Sequence, residues 1–335
     1  MLIALLRSKM EQMANQFFKA GQSAAEHDNF FGRFTPIWLD LVQKRRYFEA
    51  ISFLNEPLVV AYKWESMNKP HTIHKGTPYY FLGVTAILNN ELENGFLLMH
   101  QALEEDKRLS PNAIPKTPAY FFVTLDYKEQ GQFFRQKVEE ISDYLAGRID
   151  TYVNKRNGTL TLEQFKAKFL ECLDLNEEVF LFVFVLFETH KMILGTNERL
   201  KKNPFSSLIH ARILSNLCII FDKTVEHKHP DKGSRPLFIS DEIIFLSKKA
   251  TSSIDDAAKG EINHDFQVDF SKTLRELLGS TYRLSLSDIE NDLAIAYGIR
   301  NFCAHKIEDQ PVLYNNFDEL CQRLMNALFF ALEKL

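Results

Sequence analysis

The placement of glycine and proline constrains the fold of this chain more than any other sequence feature. Only 13 of the 335 residues are glycine. Alternating polar and apolar runs are few, and no Asn-Gly or Asp-Gly turn between such runs marks a β-hairpin. The sequence therefore predicts an all-α protein built from helical hairpins. The breaks between these hairpins fall in four segments: Asn68 to Pro78, Ser110 to Pro118, Lys155 to Thr161 and His227 to Pro236.

Composition limits the classes of protein and partner. The chain is 45% hydrophobic and 25% charged, and it is long enough for two domains that each bury a core. A net charge of -4 gives no overall electrostatic reason to bind nucleic acid or a membrane surface. Neither a signal peptide nor a C-x-x-C pair is present, so we expect a cytoplasmic protein with free thiols, no metal and no cofactor. The four cysteines are Cys172, Cys218, Cys303 and Cys321.

The most apolar segment, Val179 to Phe187, is nine residues long. A membrane-spanning helix needs about 20 such residues, so we expect this segment to lie in a protein core. An unbroken apolar run has no periodicity, which leaves helix and strand both open. The helical patterns on either side favour a helix.

The first predicted domain, residues 1–155, contains a hairpin that resembles a tetratricopeptide unit. In Tyr79 to Asp106, small residues such as Gly83 and Gly95 lie where two helices must approach. A weaker copy precedes it, but its small residue, Ala50, is 45 positions before Gly95 rather than the 34 of that repeat (95 − 50 = 45). The pattern fits either a degenerate repeat layer that binds a protein partner or ordinary hairpin packing.

The second predicted domain, residues 161–335, begins at a capping box formed by Thr161 and Gln164. Within it, the segment from Arg199 to Lys249 carries ten basic and five acidic residues. Such a segment can follow a phosphate backbone, but it can also be a solvated helix face. The domain closes with an amphipathic pattern that predicts a last helix from about Asn316 to Leu335.

A late helix places an arginine among apolar positions. Ser287 and Glu290 form a second capping box, after which Ile289, Leu293 and Ala296 recur at steps of four and three. The next step of four is Arg300. Burying an unpaired guanidinium costs several kcal/mol, so Arg300 needs a carboxylate, carbonyl groups or a ligand anion. Intrachain carboxylates that could serve are Glu188 and Asp222.

Arg300 is followed by Asn301 and, five residues on, by His305. Positions five apart lie about 140° apart around an ideal helix, so the two side chains converge only if the helix ends or bends between them. Arginine holds phosphoryl oxygens through its planar fork, and histidine exchanges protons near neutral pH. This set of residues therefore suits phosphate-ester chemistry.

The segment Gly298 to Ile307, "GIRNFCAHKI", resembles the Arg-Asn-x-x-x-His motif of the HEPN superfamily (higher eukaryotes and prokaryotes nucleotide-binding domain). The resemblance implies a C-terminal helical bundle that forms a homodimer and cleaves RNA without metal. It assigns Arg300 and His305 as the catalytic pair and Asn301 as the assisting polar residue. Toxin-like and phage-defence effectors are the roles that the resemblance suggests.

A different class of function stays open. In it the chain is a non-catalytic interaction or dimerisation protein, and Arg300 is neutralised by a carboxylate of its own bundle. The remaining histidine pairs, His71 with His74 and His227 with His229, are expected to be solvated loop residues because no other metal ligands stand at a suitable spacing.

Overall fold

A computed structural model describes residues 2–19, 23–109, 111–195, 204–229, 239–305 and 311–335. All regular secondary structure in these ranges is helical, which confirms the predicted all-α class. The chain forms two compact units, Met1–Glu140 and Ile141–Leu335. The division falls within one long helix, whereas the predicted boundary followed the end of that helix. None of the described helices is both long and apolar enough to cross a membrane.

The first unit consists of helical hairpins. Its helices are α1 (Leu2–Phe17), α2 (Ala24–Gly32), α3 (Thr35–Gln43), α4 (Tyr47–Met67), α5 (Gly76–Leu88), α6 (Leu92–Leu109), α7 (Pro118–Val123) and the first part of α8 (Gln132–Arg156). Helices α5 and α6 form the hairpin that the small residues predicted. A Cβ atom on Gly83 would lie 3.0 Å from the carbonyl oxygen of Gly95, and one on Gly95 would lie 3.1 Å from the carbonyl oxygen of Gly83. Any larger residue would therefore push the two backbones apart.

His74 departs from the expectation of a solvated loop histidine. It is buried just before α5, where its Nδ1 lies 3.0 Å from Asp28 Oδ1 and its Nε2 lies 2.8 Å from Asp106 Oδ1. Burial opposes the charged ring, but the hydrogen bonds to Asp106 and Asp28 outweigh it and raise the pKa of His74 to about 9. The expectation was wrong because both carboxylates come from distant parts of the chain.

The second unit contains the predicted motif helix and the predicted last helix. Its helices are the remainder of α8, α9 (Leu162–Phe165), α10 (Asn176–Gly195), α11 (Pro204–Lys228), α12 (Ile239–Ser247), α13 (Asp256–Val268), α14 (Phe270–Leu278), α15 (Asp288–His305), α16 (Pro311–Asn315) and α17 (Phe317–Lys334). The apolar run from Val179 to Phe187 lies inside α10, so the helical interpretation is confirmed. The last helix, α17, packs beside α15 as expected.

Helix α15 is the centre of the second unit, with α11, α12, α13, α14 and α17 packed around it. It begins at Asp288, and the predicted capping box is confirmed. The Ser287 amide donates to Glu290 Oε2 at 3.0 Å, and the Glu290 amide donates to Ser287 Oγ at 3.4 Å. Every residue of α15 from Ile289 to Ile299 is buried. The helix is therefore a core element on all sides until it reaches Arg300.

Candidate functional site

Arg300 marks the point where α15 reaches the surface. Ile289, Leu293 and Ala296, which precede it at helical spacing, are at most 9% exposed, whereas the side chain of Arg300 is 38% exposed. Its Nε lies 3.6 Å from Asp222 Oδ2 on α11, within ion-pair range but beyond a normal hydrogen bond. Arg300 thus has an intrachain carboxylate on one side and solvent on the other.

Two acidic side chains, rather than one, stand behind Arg300. Glu242 of α12 is 1% exposed and faces Asp222. Burial raises the pKa of Glu242, and the negative charge and hydrogen bond of Asp222 raise it further. Burial also raises the pKa of Asp222, although Glu242 and Arg300 act in the opposite direction. A half-buried and a buried carboxyl group thus face one partly solvated cation, and the pKa of each lies above its ordinary value.

The acid pair is incompletely hydrogen-bonded. Within the described part of the chain, Asp222 Oδ1 and Glu242 Oε2 are buried oxygens that have no hydrogen-bond partner. Buried polar atoms are normally paired, and an orphaned oxygen costs about 1–3 kcal/mol. Sequence reasoning identified Asp222 as a candidate partner of Arg300, but it found no signal for Glu242.

Helix α15 continues without a break from Arg300 to His305. Arg300 and His305 are therefore not separated by a helix end, which is one of the two conditions under which their side chains would converge. Along one continuous helix their positions stay about 140° apart around the axis. His305 is the last residue of α15, and its side chain lies outside the described part of the structure. The backbone alone thus turns the two motif positions to different sides of the helix.

Asn301 lies about 100° from Arg300 and about 40° from His305 around the axis of α15, at a cavity of about 360 Å³. Helices α13, α14 and α15 enclose this cavity. Its walls combine three phenylalanine rings with three side-chain amides, and its lining residues are Asn263, Phe266, Gln267, Phe270, Gly298, Asn301 and Phe302. Asn301 is half-buried there, so the residue expected to assist catalysis is accessible from this cavity.

The position of α15 against α11 is fixed next to the site. Cys218 Sγ lies 3.6 Å from the carbonyl oxygen of Ala296, and Cys303 Sγ lies 3.6 Å from that of Ala211. Burial raises the pKa of both thiols, which keeps them protonated and poorly nucleophilic. These cysteines are structural contacts that hold the helix carrying Arg300 against the helix carrying Asp222.

The start of α15 holds two further buried carboxylates, of which sequence reasoning identified Glu290 as a capping residue and missed Asp292. Asp292 is fully buried, and its oxygens accept hydrogen bonds from Arg156 Nε at 2.6 Å, Arg323 Nη1 at 2.9 Å and Asn326 Nδ2 at 2.9 Å. Glu290 accepts hydrogen bonds from the Ser253 amide at 2.7 Å and from the hydroxyls of Ser247, Thr251 and Ser287. Burial opposes its ionisation, but these hydrogen bonds lower the pKa of Glu290 to about 2.

The predicted basic segment from Arg199 to Lys249 is described only in part, because residues 199–203 and 230–238 lie outside the described ranges. Within the rest, Arg212 forms an ion pair with Glu188, and Lys223 Nζ lies 2.8 Å from Glu226. These two basic side chains are thus neutralised within the chain. A phosphate-binding surface along this segment stays a prediction.

No three histidine, cysteine, aspartate or glutamate side chains in the described part are grouped as a metal site requires. Comparison with known proteins found no match to this chain among family models, characterised proteins or solved structures.

Proposed function

We propose that this protein is a metal-independent endoribonuclease of the HEPN type, in which Arg300 and His305 act on the RNA phosphodiester. The proposal rests on the motif from Arg300 to His305 and on the environment of Arg300 in the second unit. In this proposal the first unit binds a protein partner, and the enzyme is a toxin-like or phage-defence effector that meets RNA in the cytoplasm.

The observation that carries the proposal is the half-exposed guanidinium of Arg300 at the edge of an acid pair formed by half-buried Asp222 and buried Glu242. Its long Nε contact to Asp222 orients the group without neutralising it as a close pair would. Asp222 is its one ion-pair partner among the described residues. The terminal nitrogens can then bind the non-bridging oxygens of a phosphodiester through their planar fork. Charge that develops on those oxygens during cleavage is stabilised by a cation already in place.

The unbroken course of α15 supports a cleavage site between two copies of the chain. Along one helix the backbone positions of Arg300 and His305 lie about 140° apart around the axis, so within one chain they start from different sides of α15. A two-fold dimer resolves this, because the arginine of one copy can meet the histidine of the other. The histidine would take the proton from the ribose 2′-hydroxyl, whose oxygen would attack the phosphorus and displace the 5′-oxygen of the next nucleotide. The protonated histidine would return the proton to that leaving oxygen, and the product would carry a 2′,3′-cyclic phosphate.

The direct test is cleavage of labelled RNA with a chelator present, using wild type, Arg300→Met, Arg300→Lys and His305→Ala. We expect wild type to cut at ribose positions and each variant to lose at least about 100-fold in rate. Arg300→Lys loses nearly as much because an ammonium group lacks the bidentate fork. Arg283→Met is the matched control, since Arg283 is also a half-exposed arginine paired with carboxylates. Intact RNA with wild type under all activating conditions would refute the nuclease.

A complementation experiment tests the two-chain site. Arg300→Met and His305→Ala protomers are mixed, unfolded and refolded together. If each site takes its arginine and histidine from different chains, half of the dimers are mixed, and one of their two sites is intact. About a quarter of wild-type activity should then return. If both residues act within one chain, every site lacks one of them and the mixture stays inactive.

A second candidate function is a non-catalytic interaction or dimerisation protein. The observation in its favour is the intrachain pair of Arg300 with Asp222, which gives the guanidinium a counter-charge without any ligand. Under this alternative, Arg300→Met weakens dimerisation measured by analytical ultracentrifugation, while no preparation cleaves RNA. Under the nuclease proposal, the same variant is inactive but remains dimeric.

A further inference from the structure

The cavity beside Asn301 has the chemistry of a binding site for a flat, neutral ring. Phe270 and Phe302 stack with their ring centres 4.1 Å apart, and Phe266 lies 5.6 Å from Phe270. A Cβ atom on Gly298 would lie 2.2 Å from the Phe266 ring, so the absence of a side chain there lets that ring lie against α15. The three rings form a continuous aromatic wall.

The polar part of the cavity consists of amides. Asn263 and Gln267 on α13, and Asn301 on α15, line it together, whereas no charged residue does so within the described part of the chain. The side chains of these three amides form no hydrogen bonds to other described residues. Each amide offers two donors and an acceptor. The cavity therefore presents several unused donors and acceptors next to an aromatic wall.

We propose that this cavity binds one nucleobase of the RNA, next to the phosphate held by Arg300. Bases bind proteins by stacking on aromatic side chains and by hydrogen bonds along their edges, which are the two features that the cavity offers. A purely apolar ligand would make no use of the amides, and an ionic ligand would find no counter-charge among the described lining residues. At about 360 Å³ the cavity lies at the small end of the range for ligand sites, as suits a single base with its sugar.

The proposal deepens the proposed nuclease function and rests on it for the adjacent phosphate. Asn301 directly follows Arg300 in α15, so a base at Asn301 and a phosphate at Arg300 can belong to neighbouring parts of one strand. The enzyme would then select its cleavage position by the identity of one base. Amides that form hydrogen bonds with the edge of one base leave donors or acceptors unpaired against another, so the cavity can discriminate among bases.

The experiment separates base binding from cleavage. Four tetranucleotides of a single base each, with 2′-O-methyl groups that block cleavage, are titrated calorimetrically into the full chain. Wild type is compared with the double variant Asn263→Leu/Gln267→Leu, which removes the amides of α13 and leaves Arg300, Asn301 and His305 unchanged. Asn154→Leu, which alters an exposed amide on α8, is the matched control. Circular dichroism confirms that each variant is folded.

We expect wild type to prefer one tetranucleotide by at least about tenfold, and the double variant to lose that preference. Asn154→Leu should bind as wild type does. Equal binding of all four tetranucleotides, no binding of any, or an unchanged preference in the double variant would overturn the base pocket. Cleavage of ordinary RNA without base preference would support the nuclease function and contradict base binding in the cavity. Base-selective binding without any cleavage would support base binding in the cavity and contradict the nuclease function.

Discussion

The two ends of helix α15 differ in how completely the charged groups there are hydrogen-bonded. Near its start, Glu290 and Asp292 are fully buried, and hydroxyls, amides and guanidinium groups satisfy their oxygens. Near its end, Arg300 faces two carboxyl groups from a distance, and one oxygen of each has no hydrogen-bond partner in the described structure. The charged side chains of this helix are thus fully hydrogen-bonded near its start and incompletely hydrogen-bonded near its end.

This difference separates charge that stabilises the fold from charge that is available for function. A saturated buried network rigidifies a core, and each of its members is costly to remove. A cluster with incomplete hydrogen bonding contributes less to stability, but its unpaired oxygens can bind a ligand or exchange a proton. The nuclease proposal depends on this second interpretation of the Arg300 end. The predictions below test whether the two ends really differ.

The largest effect is expected for Asp292→Ala. It leaves the guanidinium groups of Arg156 and Arg323, whose side chains are 6% and 11% exposed, without their shared carboxylate. Breaking a buried ion pair from one side costs about 3–5 kcal/mol, and we expect that loss in the free energy of unfolding measured with urea. Asp318→Ala is the control, since Asp318 is largely exposed and should cost less than about 1 kcal/mol. Equal losses in the two variants would mean that Asp292 is not the centre of a buried network.

Glu290→Gln should have the next largest effect, with a characteristic pH dependence. The pKa of Glu290 is lowered to about 2, so its stabilisation is present above the usual value near 4.5 and is lost as pH falls toward about 2. Replacing the carboxylate should cost about 2 kcal/mol at neutral pH and flatten the acid dependence of unfolding. Urea titrations from pH 7 to pH 2.5 measure both. Glu319→Gln, at an exposed partner of Arg323, should keep the wild-type slope.

Sequence reasoning found the local features of this helix and missed the distant ones. The capping box of Ser287 and Glu290 was readable because its partners are three residues apart. The partners of Asp292, by contrast, are Arg156 and Arg323, which are 136 and 31 residues away, and no periodicity connects them. The environments of Glu242 and His74 were not predicted for the same reason, since they form only when separate helices meet. The candidate motif was visible as a pattern, but the unbroken course of α15 and the cavity beside Asn301 were not.

Arg300→Met should have a smaller effect on stability than any change at the start of α15. The guanidinium is 38% exposed, and its contact to Asp222 is 3.6 Å, so the pair contributes less than about 1 kcal/mol. Arg156→Met, in which Asp292 loses a partner at 2.6 Å, should cost about 2–3 kcal/mol. Thermal and urea unfolding of both variants make the comparison. A loss of 3 kcal/mol or more for Arg300→Met would identify Arg300 as a structural charge and favour the scaffold function.

The smallest effect, and the sharpest test of the acid pair, is expected for Glu242→Gln. Burial and the neighbouring Asp222 raise the pKa of Glu242, so the folded protein binds a proton that the unfolded chain releases above the usual value near 4.5. The stability tied to that proton is fully present below pH 4.5 and declines as pH rises. Glutamine keeps the shape and stays neutral, so the variant should match wild type within about 0.5 kcal/mol at pH 5 and should lose less stability between pH 5 and pH 9.

Glu163→Gln, at an exposed glutamate of α9, should follow the wild-type curve throughout. If Glu242→Gln also follows it, Glu242 is already ionised in the folded protein, and the two ends of α15 are more alike than their hydrogen bonds indicate.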